Sequence, residues 1–270
     1  MGTPGGGMAL HRARGRPRWI RSLGYYASAY RRTWRSSVTT SFLYPVLYLA
    51  ALGVGLGHLV DHHVGHVSGV PYLDFVAPGL LAATAMQVAG NEATYPVLAA
   101  VKWVGTYFAM LATPLRVVDV LAGHLAWIAL RLSLTAASYL AVMAAVGAVR
   151  SPWAVLALPT AVLTGMAFAT PISAFAVAQD NDVGLVTIYR FGLIPLFLFS
   201  GTFFPVDQLP GWVQPIADAT PLLHGVSLCR ALVQGPLRWW PATGDALYLV
   251  ALATVGAAVA LRSYRHRLVV

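Results

Sequence analysis

The densest set of possible metal ligands is HLVDHHVGHVSG, in which His58, His62 and His66 recur every four residues with Asp61 and His63 beside them. On a helix three of these imidazoles share one face, which is metal-ligand spacing. Read as composition, the same tract is a polar loop without Lys or Arg. Phosphate chemistry would need a G-x-x-x-x-G-K-[ST] loop, whose lysine reaches the nucleotide phosphates. The sole lysine, Lys102, is followed by Trp103, so the chain has no such loop and any ATPase must be a separate polypeptide. Ion coupling calls for acids or histidines buried at mid-membrane, and Glu92, Asp119 and His124 are the candidates, each near the end of an apolar run with no two on one evident helical face. No nucleophile–base pair or carboxylate pair stands out, so the chain is not expected to be an enzyme. Two cations interrupt apolar runs, Arg131 and Arg190. An unpaired charge at mid-membrane costs about 2.5–3.5 kcal/mol on insertion scales. Arg131 should therefore face the bundle or snorkel, and Arg190 is close enough to its run's inner end to snorkel.

The elements that position these residues are membrane helices. With 58% hydrophobic and 10% charged residues, the chain is far from a soluble domain, where about a quarter of residues are charged. Its single cysteine, Cys229, excludes an internal disulfide framework. The net charge of +9 would suit nucleic acid if it were spread along the chain. Instead eight arginines crowd Arg12 to Arg35 and three more, Arg262, Arg265 and Arg267, close it. That distribution reads as anchoring on the inner side of a membrane and as no nucleic-acid partner.

Six spans are predicted, each near the ~20 apolar residues that cross a bilayer: about Phe42–Leu59, Leu73–Gly90, Leu121–Val146, Trp153–Val177, Gly184–Phe204 and Ala246–Leu261. Both termini then lie inside, as the positive-inside bias requires. Residues 1–18, rich in glycine and arginine, are expected to be a disordered basic tail, residues 19–262 a single transmembrane domain, and residues 263–270 a basic inner tail. Trp19 to Thr40 alternates aromatics with arginines and fits an amphipathic helix lying on the membrane, arginines on lipid phosphates.

Between spans five and six, FSGTFFPVDQLPGWVQPIADATPLLHGVSLCRALVQG carries Pro205, Pro210, Pro215 and Pro221. Each proline removes a backbone donor, and lipid tolerates broken backbone only where protein or a watery cavity covers it. The reading is short helices that dip into the outer face and return. Gly201 and Pro205 form the turn, Phe203 and Phe204 an apolar plug, and Leu209 and Pro210 complete an outer gate. Arg230 reads as an interface anchor.

This outer segment resembles the signature of type-2 ABC exporter permeases: an SG-x-FFP turn, an LP-x-W, a PL-x-HG and a closing RALV-x-G. DFVAPGLLAATAM and ATPLRVVDVLAGHL are also similar to that family, particularly to its nodulation-factor (lipo-oligosaccharide) branch, with daunorubicin-type drug exporters as further relatives. The resemblance implies an all-α membrane protein of six helices with an N-terminal interfacial helix and re-entrant outer helices. It implies that Leu111, Thr113, Pro114, Leu115, Arg116 and Val118 form a coupling helix docking into a cytoplasmic ABC ATPase. It further implies two ATPase copies carrying ATP and Mg, a second permease copy (identical or related), contact with membrane lipid, and a bacterial plasma-membrane location. The implied function is ATP-driven export of an amphipathic substrate: a lipid-linked saccharide, a glycolipid or a hydrophobic drug. From the residues alone, an ion-coupled secondary transporter or a channel stays open beside it.

Overall fold

The computed structural model describes residues 17–57, 62, 63, 67, 69–235 and 238–269. Among them the protein is helical without a strand, and one isolated bridge joins Val67 to Val70. Most of the expected disordered tail lies outside the described residues, as do His58 and His66 of the histidine run.

Helix α1 runs from Arg18 to Leu49 and continues as a wider π-turned stretch, Ala50–Leu56. The boundary predicted near Thr40, between a surface helix and a first span, is not there: the backbone is helical throughout. No Gly or Pro punctuates the sequence from Ala27 to Phe42, so nothing local stops the helix. Helix α2, Tyr72–Ala93, starts behind Pro71 and is apolar on every side, with Phe75, Leu80, Leu81 and Met86 all buried. The second span does not end at Gly90. It breaks at Thr94, whose hydroxyl donates to the Gly90 carbonyl at 2.8 Å, and resumes as α3, Tyr95–Leu98, extended by π-turns over Ala99–Trp103. Gly105, at φ +70°, turns the chain into the short α4, Thr106–Leu111.

Helix α5, Val117–Ala145, returns along α1 and α2. A 3-10 turn, Pro152–Leu156, leads into α6, Ala157–Ala178. The next apolar stretch is built of α7, Val183–Thr187, π-turns over Ile188–Leu193, and α8, Ile194–Phe199. Two further helices, α9 (Gln214–Asp218) and α10 (Pro221–Gln234), precede α11, Trp239–Leu268. Residues 263–268 therefore continue the last helix rather than forming a separate tail. Helix α2 is central to the bundle, packed against α5, α6 and α10.

Four helical stretches among the described residues are long and apolar enough to cross a membrane, against six predicted: Tyr72–Trp103, Val117–Ala145, Pro152–Ala178 and Trp239–Leu268. Val183–Phe199 is apolar but shorter. The predicted fifth span loses its last turn because Gly201, at φ +75°, bends the backbone before Phe203. Helix α11 leaves Leu247, Val255 and Val259 exposed, and α5 leaves Leu130 and Leu134. In lipid such surface is solvated by acyl chains instead of being an aggregation hazard.

Candidate functional site

The two ends of α2 define two regions. About 18 residues separate Asp74 from Glu92, or roughly 27 Å at 1.5 Å per residue. The Glu92 end carries the turn between α4 and α5, and the Asp74 end carries the proline-rich segment.

At the turn end the family resemblance implies one short coupling helix over Leu111, Thr113, Pro114, Leu115, Arg116 and Val118. The structure corrects this. Helix α4 stops at Leu111, Ala112–Arg116 is a turn, and α5 begins at Val117. Thr113 ends the helix by donating from its hydroxyl to the Met110 carbonyl at 2.6 Å, and Pro114 has no N–H to continue it. The Arg116 amide donates to Asp119 Oδ2 at 2.9 Å, satisfying a free donor at the start of α5 with an acid that also suits the helix dipole. Leu111 and Leu115 turn half-buried into the core, whereas Thr113, Pro114, Arg116 and Val118 are exposed. The exposed turn is flanked by two grooves. One, of about 450 Å³, lies against the start of α1, and the other, of about 870 Å³, against Arg265, His266 and Leu268 of α11.

Behind the turn, five elements converge on His124, which sequence spacing could not reveal because they are far apart in the chain. Its Nε2 lies 3.2 Å from the Glu92 carbonyl. A carbonyl can only accept, so Nε2 carries the proton and Nδ1 accepts. Its donor is the Tyr107 hydroxyl of α4 at 2.5 Å, and the Tyr26 hydroxyl of α1 lies 3.3 Å from the same nitrogen. Tyr264 of α11 reaches Tyr107 at 3.4 Å. One turn further along α5, Trp127 donates to Glu92 Oε2 at 3.3 Å, and Arg131 Nε stands 3.1 Å from Glu92 Oε1. The Arg131 guanidinium also lies 5.3 Å from the Tyr30 ring centre, within cation–π range. Arg131 thus faces the bundle and has a counter-ion. Arg190 is exposed on α7's π-turned extension.

Just outside, Asp180 in the loop after α6 accepts from both Lys102 and Arg267, each at 2.5 Å, joining three elements. These two cations hold its carboxyl below the usual carboxylate range. Asp119 caps α5 and takes no part in the His124 group. His62 and His63 are described, but no group of three metal-ligating side chains occurs among the described residues.

At the proline-rich end the contacts are of another kind. The turn Ser200–Pro205 is pressed onto α2: Thr202 is fully buried, and a Cβ added at Gly79 would sit 3.1 Å from Thr202 backbone atoms. Arg230 of α10 donates from Nε to the Phe75 carbonyl at 3.2 Å and from Nη2 to the Gly201 carbonyl at 3.0 Å. Its guanidinium covers the Phe75 ring at 3.8 Å. Gln234 donates to the Asp74 carbonyl at 2.6 Å, and the amides of Arg150 and Ser151 both donate to the Val233 carbonyl. The one buried acid here, Asp74, is paired with Arg150 at 2.5 Å. Of the predicted gate, Gly201 and Leu209 are buried, Phe203, Phe204 and Pro205 half-buried, and Pro210 exposed. Phe203 packs edge-on against Phe197 at 5.0 Å.

Long apolar helices around a buried polar hub define a multi-pass membrane protein. The chain belongs to the ABC-2 type transporter family, whose model matches residues 24–233, and it is a transporter permease. It is 36% identical over 209 residues to Nodulation protein J of Rhizobium leguminosarum bv. trifolii, covering 75% of this chain and 77% of the relative. Nodulation protein J of Sinorhizobium fredii is 32% identical over 237 residues, or 87% and 86% of the two chains. A shorter match, 32% over 75 residues, covers 28% of this chain and 26% of the daunorubicin resistance ABC transporter permease protein DrrB1 of Streptomyces coeruleorubidus.

Proposed function

We propose that this chain is the permease subunit of an ATP-driven exporter: it pairs with a second permease copy, docks two cytoplasmic ABC ATPases that carry ATP and Mg, and passes an amphipathic substrate out of the cell. The observation that carries this reading is the exposed turn Ala112–Arg116, set directly on α4, whose Tyr107 is hydrogen-bonded to the buried His124. A push on that turn is felt through α4 by α1, α2, α5 and α11 together, as a rigid-body transition needs. Arginines gathered at both ends of the chain support inner termini. The segment Gly201–Gly235, held on α2, then lies at the outer end, where Phe203, Phe204, Pro205, Leu209 and Pro210 form a re-entrant gate. The substrate class follows the relatives: a lipid-linked saccharide, a glycolipid or a hydrophobic drug.

The test is ATP turnover by the chain co-purified with its ATPase, with Pro114→Glu and Arg116→Glu. Both changes alter exposed side chains, so the fold should persist while assembly and turnover fall. Unchanged assembly and turnover would sink the docking assignment.

A second reading, an ion-coupled transporter or channel, draws on the buried Glu92, His124 and Arg131. Against it, both His124 nitrogens and both Glu92 oxygens already have protein partners, which suits a brace better than a proton path. Substrate accumulation driven by a proton gradient without ATPase would reverse that preference.

A further inference from the structure

The 450 Å³ cavity between the start of α1 and the α4–α5 turn has a cationic rim and an apolar floor. Arg18 and Arg21, three residues apart on one helix face, are exposed on the rim with Tyr25. Thr106 adds a hydroxyl, those of Ser22 and Thr113 being donated to Met110, and Ala109, Met110 and Leu115 make the floor. No acidic side chain lines it. Trp19, next to Arg18 in the chain, and Phe108, next to Ala109, are also exposed, aromatic side chains of the kind that gather at a membrane–water boundary.

We infer that this cavity is a binding site for an anionic phospholipid of the inner leaflet, its headgroup phosphate between Arg18 and Arg21 and the first part of an acyl chain against Met110 and Leu115. Charge and shape select this occupant. A guanidinium pair with the Thr106 hydroxyl beside it matches phosphate oxygens, the apolar floor has no use for a free ion, and basic clusters at a span's inner end attract anionic lipid. The chain's own first sixteen residues are excluded by charge, since they contain Arg12, Arg14 and Arg16 and no acid. Because Thr113, Pro114 and Leu115 form the opposite wall, the lipid sets the spacing between α1 and the turn. The inference rests on the proposed function only in placing the turn at the inner face.

The experiment uses the purified full chain in phosphatidylcholine nanodiscs, titrated with phosphatidylglycerol and read by native mass spectrometry. Saturable binding is expected, roughly twenty-five-fold weaker in Arg18→Gln/Arg21→Gln, each arginine near an anionic surface being worth about fivefold. Arg21→Lys should keep most of the binding, and Arg31→Gln, outside the cavity, all of it. Equal binding by wild type and the double variant would overturn the site, as would phosphatidylcholine competing on equal terms. Inorganic phosphate displacing the lipid at equal concentration would show that a free anion is the ligand and overturn the lipid assignment. A photoreactive phosphatidylglycerol supplies a second readout, with cross-links expected on residues 18–25 and 106–115. None of these measurements involves ATPase or transport, so the failure of this site and the failure of the proposed function are separately visible.

Discussion

The two ends of α2 are held by different bonds. At the Glu92 end, side chains mostly bind side chains: Tyr26 and Tyr107 need the His124 ring, and Trp127 and Arg131 need the Glu92 carboxylate, the His124 bond to the Glu92 carbonyl being the exception. At the Asp74 end, side chains mostly bind backbone. Arg230 and Gln234 hold three carbonyls, and Gly79 lets the Thr202 backbone rest on α2. A carbonyl is present whatever residue carries it, so the second region depends on shape and the first on chemistry. The Asp74 region should therefore be sensitive to added bulk, the Glu92 region to isosteric loss of a polar atom.

The largest expected effect is in the shape-held region. Gly79→Val must displace the Thr202 backbone and should cost about 3 kcal/mol, the upper part of the overpacking range. It would lower thermal stability in detergent and abolish export. Next, Arg230→Met takes the side-chain donor from the Gly201 carbonyl, which lies outside any helix, and the second donor from the helical Phe75 carbonyl. With each unsatisfied buried group costing about 1–3 kcal/mol, the loss should be about 2 kcal/mol, measured the same way. In the chemistry-held region, Glu92→Leu strands Arg131 and should cost about 2 kcal/mol, below the 3–5 of dry pairs because about a fifth of each side chain is exposed. The double change Glu92→Leu/Arg131→Met should recover most of that. If it costs as much as the single change, the pair is not what binds α2 to α5. Tyr107→Phe removes one hydroxyl and should cost about 1 kcal/mol. A sharper check is ATP turnover that persists while export falls.

The smallest effect concerns Asp180. Its carboxyl is held below the usual range by Lys102 and Arg267, so its contribution is present above about pH 3.9, the ordinary carboxylate value, and is lost as pH falls through the lowered value. Asp180→Asn should melt slightly below wild type at pH 7 and draw level with it as the pH falls through the lowered value. A difference that persists at the lower pH would mean that Asp180 acts by shape instead of charge.

The same contrast explains which features are legible in the sequence. The SG-x-FFP and RALV-x-G patterns survive as patterns because Gly201 and Arg230 answer to steric and backbone constraints that fix residue type and spacing along a continuous segment. His124 and Glu92 leave no such trace, since the group they belong to joins Tyr26, Tyr107, Trp127, Arg131 and, through Tyr107, Tyr264, scattered over more than two hundred residues. Helix class and most boundaries follow from apolar runs. Helix α1 defeats that reading because its arginines look like a surface helix and its apolar half like a separate span, although no breaker divides them. The run from Leu111 to Val118 is legible as a connector between spans, but Pro114 converts the single predicted helix into a helix, a turn and a second helix.

The three π-turned stretches, Ala50–Leu56, Ala99–Trp103 and Ile188–Leu193, have an evolutionary consequence. A π-turn accommodates one residue more than an α-turn and rotates the downstream helix by about 100° relative to a plain α-helix. A helical wheel drawn through any of them assigns the wrong face beyond it. It also means that a one-residue deletion inside Ile188–Leu193 converts that stretch to ordinary α-helix and leaves its two flanks in register with their neighbours. In homologous chains, single-residue gaps should therefore gather at these three places and be rare in the uninterrupted turns of α5 and α6.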